Sequence, residues 1–242
     1  MEEQNELFEI TAARVSKLEE ELARAEEANR RITALISNLS HEIRTPLNSI
    51  MSVVNLFEDT RLDLEQKKFV EMLSSSARDL LRLVEELFDL SRLEAGLFEL
   101  KESPVPIRSC CSQAVRPLAM AAQERRLQVE LKIPPSVPEF LLGDSSRLGQ
   151  ALRNVAGTAI SLTARGKVVI DVEPQRETDE AMTLHFSIAH SAESNAMERI
   201  RAMLDGSSLD RGEFAQVYEG AGLGLVIAKG IAEAMGGSLW AE

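Results

Sequence analysis

Ser37-Asn38-Leu39-Ser40-His41-Glu42-Ile43-Arg44-Thr45-Pro46-Leu47-Asn48-Ser49-Ile50 is the stretch from which the fold is read. It places one histidine, followed at once by a carboxylate, on the outer face of a long amphipathic helix. Pro46, five residues after the histidine, can bend that helix just beyond it. The sequence holds only three histidines, so one in this setting calls for a chemical reading beside the bland one of an ordinary surface residue.

Upstream, Phe8, Thr11, Val15, Leu18, Leu22, Ala25, Asn29, Ile32, Ile36 and Leu39 alternate at spacings of three and four. That is a coiled-coil seam over residues 1–39, with Asn29 at an a position where a buried polar side chain sets register and favours a dimer. A single solvated amphipathic helix is the alternative. Counting on from the seam puts His41 at an f position, facing solvent.

The helix should continue past Pro46 through Ile50, Val53, Val54 and Phe57, and Asp59–Asp63 reads as a turn. A second helix, from about Leu64 to Ala95, carries Phe69, Met72, Leu73, Ala77, Leu80, Leu81, Val84, Leu87, Leu90 and Leu93 at helical spacing. Gly96 suits the left-handed residue that follows a helix end. Residues 40–98 thus form a helical hairpin that, paired with a second copy, gives a four-helix bundle.

Beyond Gly96 the pattern changes. Leu97–Leu100 and Val105–Ile107 read as short extended segments, residues 107–125 as a helix, and Leu127–Ile133 as an alternating strand. Pro134, Pro135 and Pro138 make a loop. A helix over 144–162, strands near 167–173 and 182–189, and a helix from about Leu223 to Met235 follow. The expected fold class is α+β: a helical hairpin, then an α/β sandwich over residues 99–242.

Composition narrows the function. The 242 residues carry 27 Lys and Arg against 39 Asp and Glu, a net charge of −12, which argues against nucleic acid as the main partner. No apolar run approaches the roughly 20 residues of a membrane span, and no signal peptide is evident, so a cytoplasmic location without membrane contact is expected. Cys110 and Cys111 are adjacent and lack metal-ligand spacing, and are read as buried or idle thiols in a reducing compartment.

Phosphorylating a histidine needs a neutral ring nitrogen and a carboxylate to orient the ring and take its other proton. Glu42 supplies that group beside His41. The reverse reaction, hydrolysis of a partner's phosphoryl group, needs a small polar side chain one helical turn on to hold a water, and Thr45 fits. The string SHEIRTPLNSI resembles the phosphoacceptor box of sensor histidine kinases, whose E-x-x-T pattern is associated with phosphatase activity. Ser91-Arg92-Leu93-Glu94-Ala95-Gly96 resembles the helix end that closes the family's dimerisation and phosphotransfer domain, though any capped helix end would also explain the glycine. Gly143 to Asn154 resembles the entry to the nucleotide helix of its ATP-binding domain. Together these cover nearly the whole chain.

The resemblance implies ATP and Mg²⁺ as cofactors, with Asn154 the first of two nucleotide-helix asparagines and Gly220, Gly222 and Gly224 a glycine box cradling phosphates. A loop kept tight only for packing is the alternative reading of that box. The second asparagine is replaced by Thr158, which is shorter and offers one hydroxyl to a metal that demands near-octahedral oxygen geometry. Ser161 stands where the family has a lysine. His190 stands where it has an aspartate that accepts from the adenine amino group, with Ala192 and Ser194 at two glycines. His190 and His185 themselves read as partly exposed or satisfied structural histidines. The chain also stops at Glu242, where relatives usually continue with further strands.

Two readings stay open. In one, a homodimeric kinase core autophosphorylates on His41 and relays phosphate to the aspartate of a response-regulator receiver domain. In the other, a pseudokinase with weak or absent ATP binding docks receivers, removes phosphate or heterodimerises. A signal arriving as a twist along the coiled coil is expected in both.

Overall fold

The computed structural model describes residues 14–18, 20–21, 23–24, 27–28, 39, 42–57, 60–177, 181–191, 197–198, 200–201, 204 and 222–242. Of the heptad seam, Val15, Leu18 and Leu39 are described and are helical and exposed. The other seam positions, including Asn29, lie outside the described residues, as does His41 itself. The chain divides into two compact units, Met1–Leu97 and Phe98–Glu242.

The first unit is a helical hairpin. Helix α1 spans 42–57 and continues through Pro46 as expected. Leu47 and Val54, seven residues apart, are its buried positions, while Val70, Ser74, Ala77 and Phe88 are buried on helix α2 (Leu64–Glu94). An ion pair between Arg44 and Glu85, 3.8 Å across the hairpin, fits an antiparallel arrangement. Both ends of α2 follow from local chemistry. Asp63 Oδ1 accepts from the Glu65 and Gln66 amides, and Gln66 Oε1 accepts from the Asp63 amide, a reciprocal cap of the kind worth about 1 kcal/mol. At the far end Gly96 sits at φ +66°, with its amide donating to Leu93 O and the Leu97 amide donating to Arg92 O. These two bonds, closing over a left-handed residue, satisfy carbonyls that an α-helix leaves open.

The second unit stacks helices on sheet. Strand β1 (Ser103–Pro106) pairs antiparallel with β3 (Phe140–Gly143). Between them lie α3 (Ile107–Glu124) and β2 (Gln128–Lys132). Helix α4 (Ser145–Leu162) precedes β4 (Lys167–Glu177) and β5 (Met182–His190), and α5 (Gly222–Ala234) follows. The order in the larger sheet is β2-β4-β5, parallel then antiparallel. Central β4 buries Val168, Ile170 and Val172 completely, the alternation of a strand with one covered face. Covering them are Cys111, Ala114 and Val115 of α3 and Leu152, Ala156 and Ala159 of α4. Full burial of each β4 side chain contributes roughly 1.5–3 kcal/mol.

Three details depart from expectation. No strand forms over 97–100. Strand β3 is an addition to the expected strands, because Phe-Leu-Leu-Gly is too short to alternate. Strand β4 runs past Glu173 to Glu177, through a proline at 174. That proline is tolerated because β2 pairs with β4 only over 167–171, and the register with β5 shifts between Pro174 and Arg176.

Candidate functional site

Helix α4 positions most of the candidate groups of the second unit. Its start is fixed by Asp144, whose Oδ1 accepts from the Arg147 amide. Burial alone would raise the Asp144 carboxyl, but bonds from the Lys101, Arg147 and Ser146 amides and the Arg147 charge hold it below the usual carboxylate range. Three turns on, Asn154 carries the one buried side-chain nitrogen or oxygen without a hydrogen-bond partner among the described residues, its Nδ2. Such an orphan donor costs about 1–3 kcal/mol, and an uncompensated cost of that kind points to a group bound from outside.

Gly224, on the first turn of α5, faces that amide. A methyl group built on Gly224 would stand 3.4 Å from both Cβ and Cγ of Asn154 and 3.7 Å from Nδ2. Helix α5 opens at Gly222, and a helix N-terminus offers unpaired amides and positive dipole charge to an anion. The structure therefore brings together Asn154 and Gly224, and Gly222 opens the same helix. Gly220 lies outside the described residues.

Thr158 and Ser161 turn inward. The Thr158 hydroxyl donates to Asn154 O at 2.9 Å, and the Ser161 hydroxyl donates to Thr158 O at 2.8 Å. Thr158 is buried, so its short side chain spends its proton on the helix backbone. As a donor set for Mg²⁺ this is poor, and no group of three His, Cys, Asp or Glu suited to a metal occurs among the described residues.

His190 ends β5 half-buried, and its Nδ1 lies 3.3 Å from Thr163 Oγ1. That hydroxyl donates to Ala159 O at 2.6 Å, which uses its only proton. The ring nitrogen facing it must then donate, fixing the Nδ1–H tautomer and leaving Nε2 as an acceptor. Burial holds this histidine below its ordinary pKa. In ¹⁵N spectra His190 is expected to show the Nδ1–H tautomer and to titrate below about 6.5; an Nε2–H tautomer contradicts the assignment. Because the folded state favours the neutral ring, the stability contributed by this group is complete above about 6.5 and declines as pH falls below it. The sequence motifs do not single out Thr163, although a threonine one residue past a helix end is a recurrent backbone-bonding position. His185 stacks on Trp240, with ring centroids 5.6 Å apart. Ala192 and Ser194 lie outside the described residues.

The cysteines are buried as expected. Burial, reinforced by the adjacent Cys110, pushes the Cys111 thiol up to about 12, which removes it from nucleophilic chemistry at neutral pH.

In the first unit, Glu42 and Thr45 are both exposed on α1 and, three residues apart, share one helix face. His41 directly precedes this described segment.

Comparison with known proteins fits both halves. Residues 31–96 match the His Kinase A (phospho-acceptor) domain. Residues 143–242 match the histidine kinase-, DNA gyrase B- and HSP90-like ATPase domain. The chain belongs to the sensor histidine kinase family. It is 34% identical over 216 residues to the sensory/regulatory protein RpfC of Xanthomonas campestris pv. campestris, covering 89% of this chain and 30% of that one. To the sensor protein GacS of Pseudomonas syringae pv. syringae it is 33% identical over 227 residues, covering 93% and 25%. Among solved structures, full-length ShkA in complex with AMPPNP superposes with a TM-score of 0.60 at 31% identity, over 83% of this chain and 41% of that one. The chain thus spans under a third of the length of these curated relatives. They support histidine-kinase two-component signalling and lend nothing to the pseudokinase alternative. No helix among the described residues is long and apolar enough to cross a membrane.

Proposed function

We propose that this chain is the working core of a homodimeric sensor histidine kinase. Residues 1–39 form the coiled-coil signalling helix, 40–98 the dimerisation and phosphotransfer hairpin, and 99–242 the ATP-binding domain. The observation that carries the nucleotide reading is the orphan Asn154 amide lying against Gly224 at the mouth of α5. A bound phosphate group answers both features, giving Nδ2 an acceptor and using the space that a side chain at 224 would fill. The AMPPNP complex of the ShkA structure supports an adenine nucleotide as the ligand.

In the reaction, a neutral His41 ring nitrogen attacks the γ-phosphorus of ATP, and the bond to the β–γ bridging oxygen breaks to release ADP. Glu42 takes the proton from the other ring nitrogen, so the phosphorylated ring stays neutral overall. The phosphoryl group then passes to an aspartate of a response-regulator receiver domain. Thr45 holds a water for the reverse hydrolysis of that partner. Where the family places a carboxylate for the base, His190 offers its Nε2 lone pair, a weaker but still serviceable acceptor.

The hairpin's uncovered face points to the partner copy. Ile50 and Phe57 on α1 and Phe69, Leu73, Leu80 and Leu87 on α2 are each about half exposed in the single chain. An apolar stripe this long on a helix pair marks a protein interface, and a second hairpin closes it as a four-helix bundle.

The test is phosphorylation of the native chain with γ-labelled ATP, with the modified residue located by mass spectrometry. A single phosphate on His41 that moves to a receiver domain is expected. A chain that binds nucleotide yet stays unlabelled contradicts the proposal.

A further inference from the structure

His190 is the last residue of β5, and its place in the ladder decides where its ring turns. It stands opposite Val168 of β4, and residues paired across an antiparallel ladder share a face. Val168 is fully buried against Ala122 of α3 and Ala159 and Ile160 of α4. The His190 ring therefore lies on the helical face, where it meets Thr163, the residue that ends α4, at 3.3 Å. Thr163 comes nine residues after Asn154, a rise of roughly 13 Å along the helix. That separation matches the reach of a nucleoside triphosphate from its phosphates to its base.

The ring is set to act through one atom. With the Thr163 proton spent on Ala159 O, Nδ1 carries the hydrogen and Nε2 the lone pair. Protonation of the ring would convert that acceptor into a donor. The surroundings leave this titration to burial. Strand β5 carries no Asp, Glu, Lys or Arg, and Asp171 and Glu173 of β4 alternate to the face opposite Val168. The charged residues of α4, Arg147 and Arg153, lie more than two turns before its end. On the turn between Thr163 and Val168, Arg165 and Lys167 are exposed, and Lys167 pairs with Glu130 at 4.0 Å. Burial is accordingly what holds His190 below its ordinary pKa.

We infer that His190 selects the base of the bound nucleotide and that the selection depends on pH: the neutral ring accepts from a 6-amino purine, and the protonated ring donates to a 6-oxo purine. Adenine offers a donor at that position and a 6-oxo purine an acceptor. A donor facing a donor leaves both groups unpaired, which is how a polar site rejects the wrong partner. A carboxylate in the same place would stay an acceptor throughout the neutral range. The inference rests on the nucleotide reading above and adds to it the residue that reads the base.

The experiment is calorimetric titration of the native chain and of His190→Gln with ATP and with inosine triphosphate. Inosine triphosphate carries the 6-oxo group on the same triphosphate, so protonation of the phosphates cancels in the ratio of the two affinities. In the native chain that ratio should fall by about threefold or more between about pH 8 and about pH 5. Glutamine can still accept through its amide oxygen but does not titrate, so the ratio in the variant should stay within about twofold over that range. Linkage supplies a second readout on the native chain alone. In ¹⁵N spectra, ATP should lower the pKa of His190 and inosine triphosphate should raise it, because each ligand favours the ring form that favours it. A native ratio that does not change with pH overturns the inference, as does a native slope retained in His190→Gln or a His190 pKa that neither ligand moves. In those cases ATP still binds and the nucleotide reading stands. A folded native chain that binds neither nucleotide at any pH overturns that reading and the inference with it.

Discussion

Replacing Glu42 by glutamine is expected to slow phosphorylation of His41 by about 10²- to 10⁴-fold, the usual worth of a positioned general base, while nucleotide affinity remains that of the native chain. The side chain keeps its size and its exposed place on α1, so folding and dimerisation should be untouched. Only the capacity to take a proton from the ring is lost. Measuring the labelling rate at saturating ATP separates this from a binding defect, because a group acting in the transition state lowers the rate without weakening the ground-state complex. Thr45→Ala provides the internal contrast. It should leave labelling intact and abolish hydrolysis of the phosphorylated receiver, since Thr45 is assigned to the water and not to the ring. An equal loss of both activities in either variant contradicts the division of roles.

Replacing Asn154 by leucine should move stability and binding in opposite directions. Leucine is close to asparagine in shape and removes the buried, unpartnered Nδ2. Its desolvation cost of about 1–3 kcal/mol should be recovered in the nucleotide-free protein, raising the melting temperature by ~2–4 °C per kcal/mol for a chain of this size. Nucleotide affinity should drop by about 10- to 100-fold, because a hydrogen bond to a charged phosphate is worth about 1.5–3 kcal/mol. A residue kept for packing alone gives a different pattern, with stability falling or unchanged and affinity unaffected. Thermal scans and calorimetry on the same preparation distinguish the two.

Much of the fold is readable from the chain. The spacing around Leu64–Glu94 marks the second helix, and Gly96 its end, because a left-handed terminator is a local decision made by a residue without Cβ. The α3, β2, α4 and β5 spans follow from periodicity for the same reason. Strand β3 does not, since four residues held by pairing with β1 carry no period of their own. Pro174 conceals the end of β4, because whether a strand tolerates proline depends on which edge is free, and that is a tertiary fact.

The candidate site divides in the same way. Asn154 and Gly224 can be named from motifs, but their packing against each other, 70 residues apart, appears only in three dimensions. The meaning of His190 changes most. In sequence it is a lost carboxylate; in the structure Thr163 fixes its tautomer and leaves Nε2 as an acceptor. Thr158 moves the other way. Its hydroxyl is bonded to the helix backbone, so the concern about a weakened metal position stands on geometry as well as on residue type.

The most direct test is calorimetry of ATP binding to the native chain, with and without Mg²⁺. Saturable binding of one nucleotide per chain, weakened about 10- to 100-fold in Asn154→Leu, is the predicted result. A folded native chain that binds no nucleotide in either condition would contradict it.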